Sequence, residues 1–315
     1  MEISVIIPLF NKAPHIIRAI ESVLTQTAPA SEIIVIDDGS TDNGSEIVAS
    51  LASKNPIIKL ISQDNKGASF TRNRGVELAS SEHVAFLDAD DEWKPDYLAQ
   101  IQRLYINFPD CGAYATSYEV IEENGDKSLP AAAGLPPAPW MGIIPNYFKM
   151  LQGGNPFFTS SIVMPKTIFK NLGGFPIGVK RGEDRMLWTL LAVKYPIAYS
   201  PSRQVVYRQD AVNRATHIFQ PEIKVIQLMD EMIKTEGVPM GLINDFLDYE
   251  AYLKIRKASR LIKSGNSNSA MVFLSDAKKN KRYRLKWLWW FLLSKMPFFL
   301  IRIFRKLKNK IPSIK

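Results

Sequence analysis

Cys111 is the only cysteine among 315 residues, so no disulfide within the chain can staple the fold. That usage suits a reducing compartment. No base stands near this thiol in sequence, and it reads as a small buried side chain rather than a nucleophile. The amino terminus, Met1-Glu2-Ile3, lacks the basic region, long apolar stretch and small-residue cleavage site of a signal peptide. The chain is therefore expected on the cytoplasmic side. No internal repeat is present. A bilayer crossing takes about 20 consecutive apolar residues. The nearest approach, 287–301, is shorter and is interrupted by Ser294, Lys295 and Pro297.

What is present is ordinary for a globular protein: 46% hydrophobic and 23% charged residues, which excludes disorder as the dominant state. The length allows one large α/β domain with appendages. The charge is unevenly placed. Residues 276–315 hold thirteen Lys/Arg and one acid, Asp276, whereas residues 1–275 hold 27 Lys/Arg and 30 Asp/Glu. A nucleic-acid binder would spread its basic stripe over the folded core, so no nucleic-acid partner is expected. The basic, aromatic-rich end instead predicts an interfacial helix pair on an anionic membrane surface, peripheral on the inner face of the cell membrane.

Short apolar runs at 4–9, 33–37, 57–62 and 84–88 alternate with helical patterns at 13–26, 43–53, 68–79 and 95–108. Continuous apolar runs of this length suit strands buried on both faces of a parallel sheet. The alternation predicts a doubly wound sheet. Further strands are expected at 112–121, 159–164, 197–199 and 204–208, and helices at 183–194, 221–236 and 242–264. A Pro/Gly/Ala-rich loop is expected at 129–139.

Two of these strands end in carboxylates: Asp37-Asp38, and Asp88-Ala89-Asp90-Asp91. Ligands of open α/β sheets bind outside the carboxyl ends of the strands. Both clusters thus fall on the edge where a site is expected. Clustered carboxylates repel one another unless a cation or hydrogen-bond donors offset the charge, and hard oxygen ligands suit Mg²⁺ or Mn²⁺. The bland reading of each cluster is a turn that caps the next helix. Asn65-Lys66-Gly67 and Arg72-Asn73-Arg74-Gly75 supply cations suited to phosphate, or simply an exposed basic helix face. Glu183-Asp184, at the start of a helix, suits the helix dipole and also offers a general base.

In this order, the pieces resemble the family 2 glycosyltransferases with the GT-A fold. The matching text is Ser4-Val5-Ile6-Ile7-Pro8-Leu9-Phe10-Asn11, Val35 to Asp42, Asn65-Lys66-Gly67 with Arg72-Asn73-Arg74-Gly75, Phe86 to Asp91, and Glu183-Asp184 with Leu187-Trp188. The resemblance implies a GT-A sheet flanked by helices and a helical C-terminal extension. It places a nucleotide-sugar-binding half at 1–110 and an acceptor half with the catalytic base at 111–215. A helical extension at 216–275 and the membrane-associating tail at 276–315 complete the expected organisation.

The implied reaction is inverting transfer from a nucleoside-diphosphate sugar, most often a UDP-sugar, to a hydroxyl of a carbohydrate or lipid-linked acceptor in surface polysaccharide synthesis. Pro8 and Phe10 are expected beside the base, Asp38 on the base, Arg72 near the base or diphosphate, and Asp88 at the donor sugar. Asp90 is the expected metal ligand and Asp184 the base; Asp91 reads as a helix-start acid. Many relatives place a His two residues after a Tyr-Arg pair. Here Tyr207-Arg208 leads to Asp210, with Asn213 and His217 as alternatives for that role. Transfer to a polyprenyl phosphate and an inactive nucleotide-sugar binder are the competing readings. A nucleotidyltransferase is disfavoured because Phe10-Asn11-Lys12, not a Gly-rich phosphate loop, follows the first strand.

Overall fold

The computed structural model describes residues 1–130, 134–179, 181–210, 222–298 and 300–301. The chain divides into two compact units, Met1–Pro221 and Glu222–Lys315.

The first unit opens as expected from the apolar alternation: β1 (Ile3–Leu9), α1 (Ala13–Leu24), β2 (Glu32–Asp37), α2 (Gly44–Ala52), β3 (Ile58–Ser62), α3 (Ala68–Leu78) and β4 (His83–Phe86). Val5, Ile6, Ile7, Ile33, Ile34 and Val35 are all buried, so β1 and β2 are covered on both faces. That is why their sequences do not alternate with polar residues. On α1, Ile16, Ala19, Ile20 and Val23 are buried at helical spacing. Gly75 lets α3 lie against β1; a Cβ there would stand 2.4 Å from Ile6 Cγ2.

The unit continues with β5 (Glu92–Trp93), α4 (Tyr97–Asn107), β6 (Ala113–Ile121), β7 (Lys127–Ser128), β8 (Gly142–Ile143), α5 (Tyr147–Leu151), β9 (Ile162–Pro165), α6 (Lys166–Asn171), α7 (Glu183–Lys194) and β10 (Ile197–Arg208). The strands form one sheet ordered β3-β2-β1-β4-β9-β6-β10-β5, with β7 beside β6 and β8 beside β10. The β3-β2-β1-β4 ladders and the β6-β10 ladder are parallel. β9 joins the two groups by running antiparallel to both β4 and β6. This mixed α/β sheet with flanking helices is the expected fold class.

Local differences have physical causes. β4 ends at Phe86 rather than 88. Leu87 N–H still reaches Ile6 C=O at 3.0 Å, but the chain then turns, with Asp91 N–H donating to Asp88 C=O at 3.0 Å. The strands expected at 197–199 and 204–208 are one strand, β10, whose register against β6 shifts between Ser200 and Val205. Pro201, which has no N–H for a ladder, lies in that shift. Of the expected loop at 129–139, residues 131–133 lie outside the described residues.

The second unit contains α8 (Glu222–Lys234), α9 (Ile243–Lys263), α10 (Ser267–Ala277) and α11 (Arg284–Ser294). α10 crosses the expected boundary at 276. Ala258, Ile262, Ala270 and Leu274 form its small core, covered by Trp287, Trp290 and Phe291 of α11. Trp287 Nε1–H donates to Leu274 C=O at 2.6 Å. Lys254 is buried and paired with Asp230 at 2.8 Å and with Glu250. Among the described residues no helix is long and apolar enough to cross a membrane.

Candidate active site

The carboxyl ends of β1, β2 and β4 open into a cleft of about 380 Å³. Pro8, Phe10, Asp38, Arg72, Asp88 and Asp90 all line it. These are the six residues expected at the donor and metal positions. β2 and β4 flank β1 and run parallel to it, so the acidic turns that follow them open on the same edge although they are fifty residues apart in sequence.

Phe10 follows β1 and presents its ring to solvent, 46% exposed. An exposed phenyl lining a cleft is a platform for a flat ring. Asp38 is buried. Its Oδ1 accepts from Gln63 Nε2 at 2.7 Å and Lys66 N–H at 2.8 Å, and its Oδ2 accepts from Gly67 N–H at 2.8 Å. Gly67 has φ 86°, a conformation that favours glycine, as it turns its N–H toward Asp38 and starts α3. Asp38 thus fixes the loop before α3. A carboxylate has about four acceptor directions, so these three bonds leave room for one more donor.

Arg72 is buried on α3. One of its nitrogens meets Asp88 Oδ1 at 2.6 Å and another meets Glu183 Oε1 at 3.4 Å. Its guanidinium lies 5.3 Å from the Phe175 ring centroid. Burial acts to lower its pKa, but Asp88 and Glu183 outweigh it and raise the pKa, so the group stays charged. Its Nε is buried without a hydrogen-bond partner among the described residues. Arg72 is the link between Asp88 and the start of α7.

Within the 88–91 turn the acids divide. Asp90 Oδ2 meets Lys12 Nζ at 2.6 Å. Asp91 is not a helix-start acid: β5 follows it, and it is 1% exposed. It accepts from Ser160 Oγ at 2.6 Å and from Arg208 N–H at 3.2 Å. Ser160 Oγ also accepts from Asp88 N–H at 3.1 Å. Burial, then the charges of Asp90 and Asp88, push the Asp91 carboxyl well above the usual carboxylate range. Asp91 ties the turn to β10 and to the 3₁₀ turn Thr159–Ser161.

Gly182 enters α7 with φ 80°, and Glu183 and Asp184 form the first turn of the helix. Glu183 reaches Arg72, while Asp184 Oδ1 accepts from the Arg185 N–H at 2.7 Å. Burial, then the neighbouring Asp184, raises the pKa of Glu183 against the pull of Arg72. Asp184 is half-buried but is not among the residues lining the cleft. The site therefore has a cleft and, joined to it through Arg72 and Glu183, an acidic helix start.

At the end of β10, Arg208 pairs with Asp210 at 3.2 Å and with Glu92 at 3.3 Å, and Arg18 meets Glu92 at 3.0 Å. Asp210 is thus held by its own neighbour. Asn213 and His217 lie outside the described residues. Sequence reasoning missed Lys12, Ser160 and Glu183 as partners of the expected site residues. Lys12 stood in the text directly after the first strand; nothing in the sequence marked Ser160. Cys111 is buried, and burial followed by Asp110 raises its thiol pKa, which fits an unreactive core residue.

Asp90 and Asp88 bring two carboxylates to the cleft, and among the described residues no three His, Cys, Asp or Glu side chains converge on one point. Asp88 and Asp90 are the cleft carboxylates that could hold a hard cation, and in this structure they face Arg72 and Lys12.

Residues 4–172 match the profile described as Glycosyl transferase family 2. The chain belongs to that family. The described part of its first unit, with its mixed sheet and edge cleft, has the GT-A fold. The uncharacterized glycosyltransferase YibD of Escherichia coli K12 is 51% identical over 94 residues, 30% of this chain and 27% of that protein. The uncharacterized glycosyltransferase RC0461 of Rickettsia conorii is 36% identical over 197 residues, 62% of this chain and 31% of that protein. The chain thus spans under a third of the length of these curated relatives. Among solved structures, residues 1–349 of S. aureus TarS in complex with UDP-GlcNAc share the fold, with a TM-score of 0.58 at 16% identity and 91% of both chains covered.

Proposed function

We propose that this chain is an inverting glycosyltransferase that moves a sugar from a UDP-sugar to a hydroxyl of a carbohydrate acceptor. The observation that carries the reading is the cleft itself, which gathers an exposed aromatic ring, a buried loop-anchoring acid, a fixed arginine and two carboxylates at one sheet edge. The UDP-GlcNAc-bound structural neighbour supports UDP as the donor nucleotide.

In this reading Phe10 stacks on the base against Pro8, and Asp38 accepts from the base with its remaining acceptor direction. Arg72 orients Asp88 toward the donor sugar and stays charged beside the diphosphate. Asp90, with Asp88, would hold Mg²⁺ or Mn²⁺, which would offset charge on the departing diphosphate. Asp184 takes the acceptor hydroxyl proton as that oxygen attacks the anomeric carbon and the bond to the diphosphate breaks. Attack from the face opposite the leaving group inverts the anomeric centre. Positioning and charge stabilisation supply most of the acceleration. A lipid-linked glycan in surface polysaccharide assembly is the acceptor favoured by the basic, aromatic-rich C-terminal segment.

The test is a screen of nucleotide sugars that reads the released nucleoside diphosphate in Mg²⁺ and in Mn²⁺. UDP release from at least one UDP-sugar is expected, and Asp184→Asn should lower acceptor-dependent turnover by about 100- to 10,000-fold with UDP affinity nearly unchanged. Full turnover by Asp184→Asn would remove Asp184 from the mechanism. Retention of turnover only with polyprenyl phosphate would identify an acceptor that is already an anion and needs no base.

A further inference from the structure

α11 is apolar on two opposite faces. Tyr283, Trp287, Trp290 and Phe291 pack against the other helices of the second unit. On the opposite side, Leu285, Leu288, Trp289 and Leu292 are 82%, 43%, 57% and 55% exposed. Their i, i+3, i+4, i+7 spacing makes one continuous stripe down the helix. A stripe of this kind on a packed helix is not needed for the core, which the other face already fills.

The surrounding charge selects its occupant. At 100° per residue, exposed Arg284 and Lys286 fall on the two flanks of the stripe, between its apolar surface and the packed face. Exposed Lys278, Lys279 and Lys281 precede the helix and exposed Lys295 follows it. No acid occurs after Asp276, and residues 302–315, outside the described ones, add six Lys/Arg. Cations along both edges of an apolar stripe place their ammonium and guanidinium groups at headgroup level while leucine and tryptophan enter the acyl boundary. Two copies meeting through this face would instead bring like charges together.

We propose that the exposed stripe Leu285-Leu288-Trp289-Leu292 docks the protein, lying flat, on an anionic lipid surface. The inference does not depend on the donor or acceptor assigned to the cleft. The helix lies along the surface rather than across it, and Arg284 and Lys286 set the preference for anionic headgroups.

The test uses the full chain with vesicles of phosphatidylcholine, alone or mixed with phosphatidylglycerol. Wild type should co-sediment with the mixed vesicles and weakly with phosphatidylcholine. The partition coefficient should fall about tenfold or more in Leu288→Ser/Trp289→Ser, and comparably in Arg284→Glu/Lys286→Glu. Unchanged circular dichroism and melting establish that these surface variants fold. Brominated acyl chains should quench tryptophan emission, and Trp289→Phe should lose most of that quenching. Stripe variants that still bind as wild type overturn the proposal and move the contact to other basic residues. Concentration-dependent self-association that Leu288→Ser/Trp289→Ser abolishes, without vesicle binding, overturns it in favour of a second copy. Failure of the nucleotide-sugar screen leaves this sedimentation result unaffected.

Discussion

Each acid of the 88–91 turn has a different partner, and the partner decides its role. Asp88 meets Arg72, Asp90 meets Lys12, and Asp91 meets Ser160 and the backbone of Arg208. A cation bound by Asp90 must displace the Lys12 ammonium from Oδ2 or share that carboxylate with it. Lys12→Met should therefore tighten binding of Mn²⁺ alone by roughly tenfold, read by calorimetry without nucleotide. Asp90→Asn should abolish the metal-dependent part of UDP binding, and addition of EDTA should mimic it in wild type; identical UDP affinity in all these samples would exclude a metal at Asp90. Phe10 makes a separate contribution. Stacking of a base on an aromatic ring contributes about 1–3 kcal/mol, so Phe10→Ala should weaken UDP roughly 5- to 150-fold while Phe10→Tyr retains it.

Elements hold these side chains through contacts made at their ends. β2 begins with Glu32, whose carboxylate accepts from Ser4 Oγ, from Ser80 N–H and Oγ, and from Lys59 Nζ, each at 2.6 Å. Burial works to raise its pKa, but these donors win and lower it from 4.5 to about 2. The folded value lies below the unfolded one. Its contribution is therefore fully present above about pH 4.5 and is lost as pH falls toward about 2. Lys59 is half exposed and screened, so Glu32→Gln should cost about 1–3 kcal/mol at neutral pH, with the difference from wild type shrinking in acid. Urea titrations across this pH range test the sign; a gap that widens in acid would refute it. The pin matters for the cleft because β1, β2 and the start of β4 meet there, and these same strands carry Pro8, Asp38 and Asp88 at their far ends.

Over the whole molecule, charge and function are separated. The first unit holds the acidic cleft; the positive excess belongs to the end of the second. Raising NaCl from about 0.1 to 0.5 M shortens the screening length from about 10 to about 4 Å. Binding to anionic vesicles should then fall steeply, while UDP release with a soluble acceptor changes little, because the close pairs within the cleft are screened far less. Vesicle binding and turnover measured on the same samples check this separation; a parallel loss of both would contradict it.

Much of the cleft was legible without coordinates. Apolar runs too continuous to alternate meant strands buried on both faces, and acids at their ends marked the edge where parallel strands leave backbone groups for a ligand. Pro8, Phe10, Asp38, Arg72, Asp88 and Asp90, the residues that the family resemblance implies, line one cleft. The sequence alone also determined the strand-helix alternation, the absence of any disulfide and the separation of charge, because these depend on local order and composition. Only the tertiary structure decided which partner each acid meets. Lys12 lies 78 residues from Asp90, Ser160 lies 69 from Asp91, and Glu183 lies 111 from Arg72. Such pairings follow from strand order and crossovers, which no local period encodes. For the same reason the two faces of α11 were inseparable in a run of tryptophans and leucines: only packing against α9 and α10 determines which side is left bare.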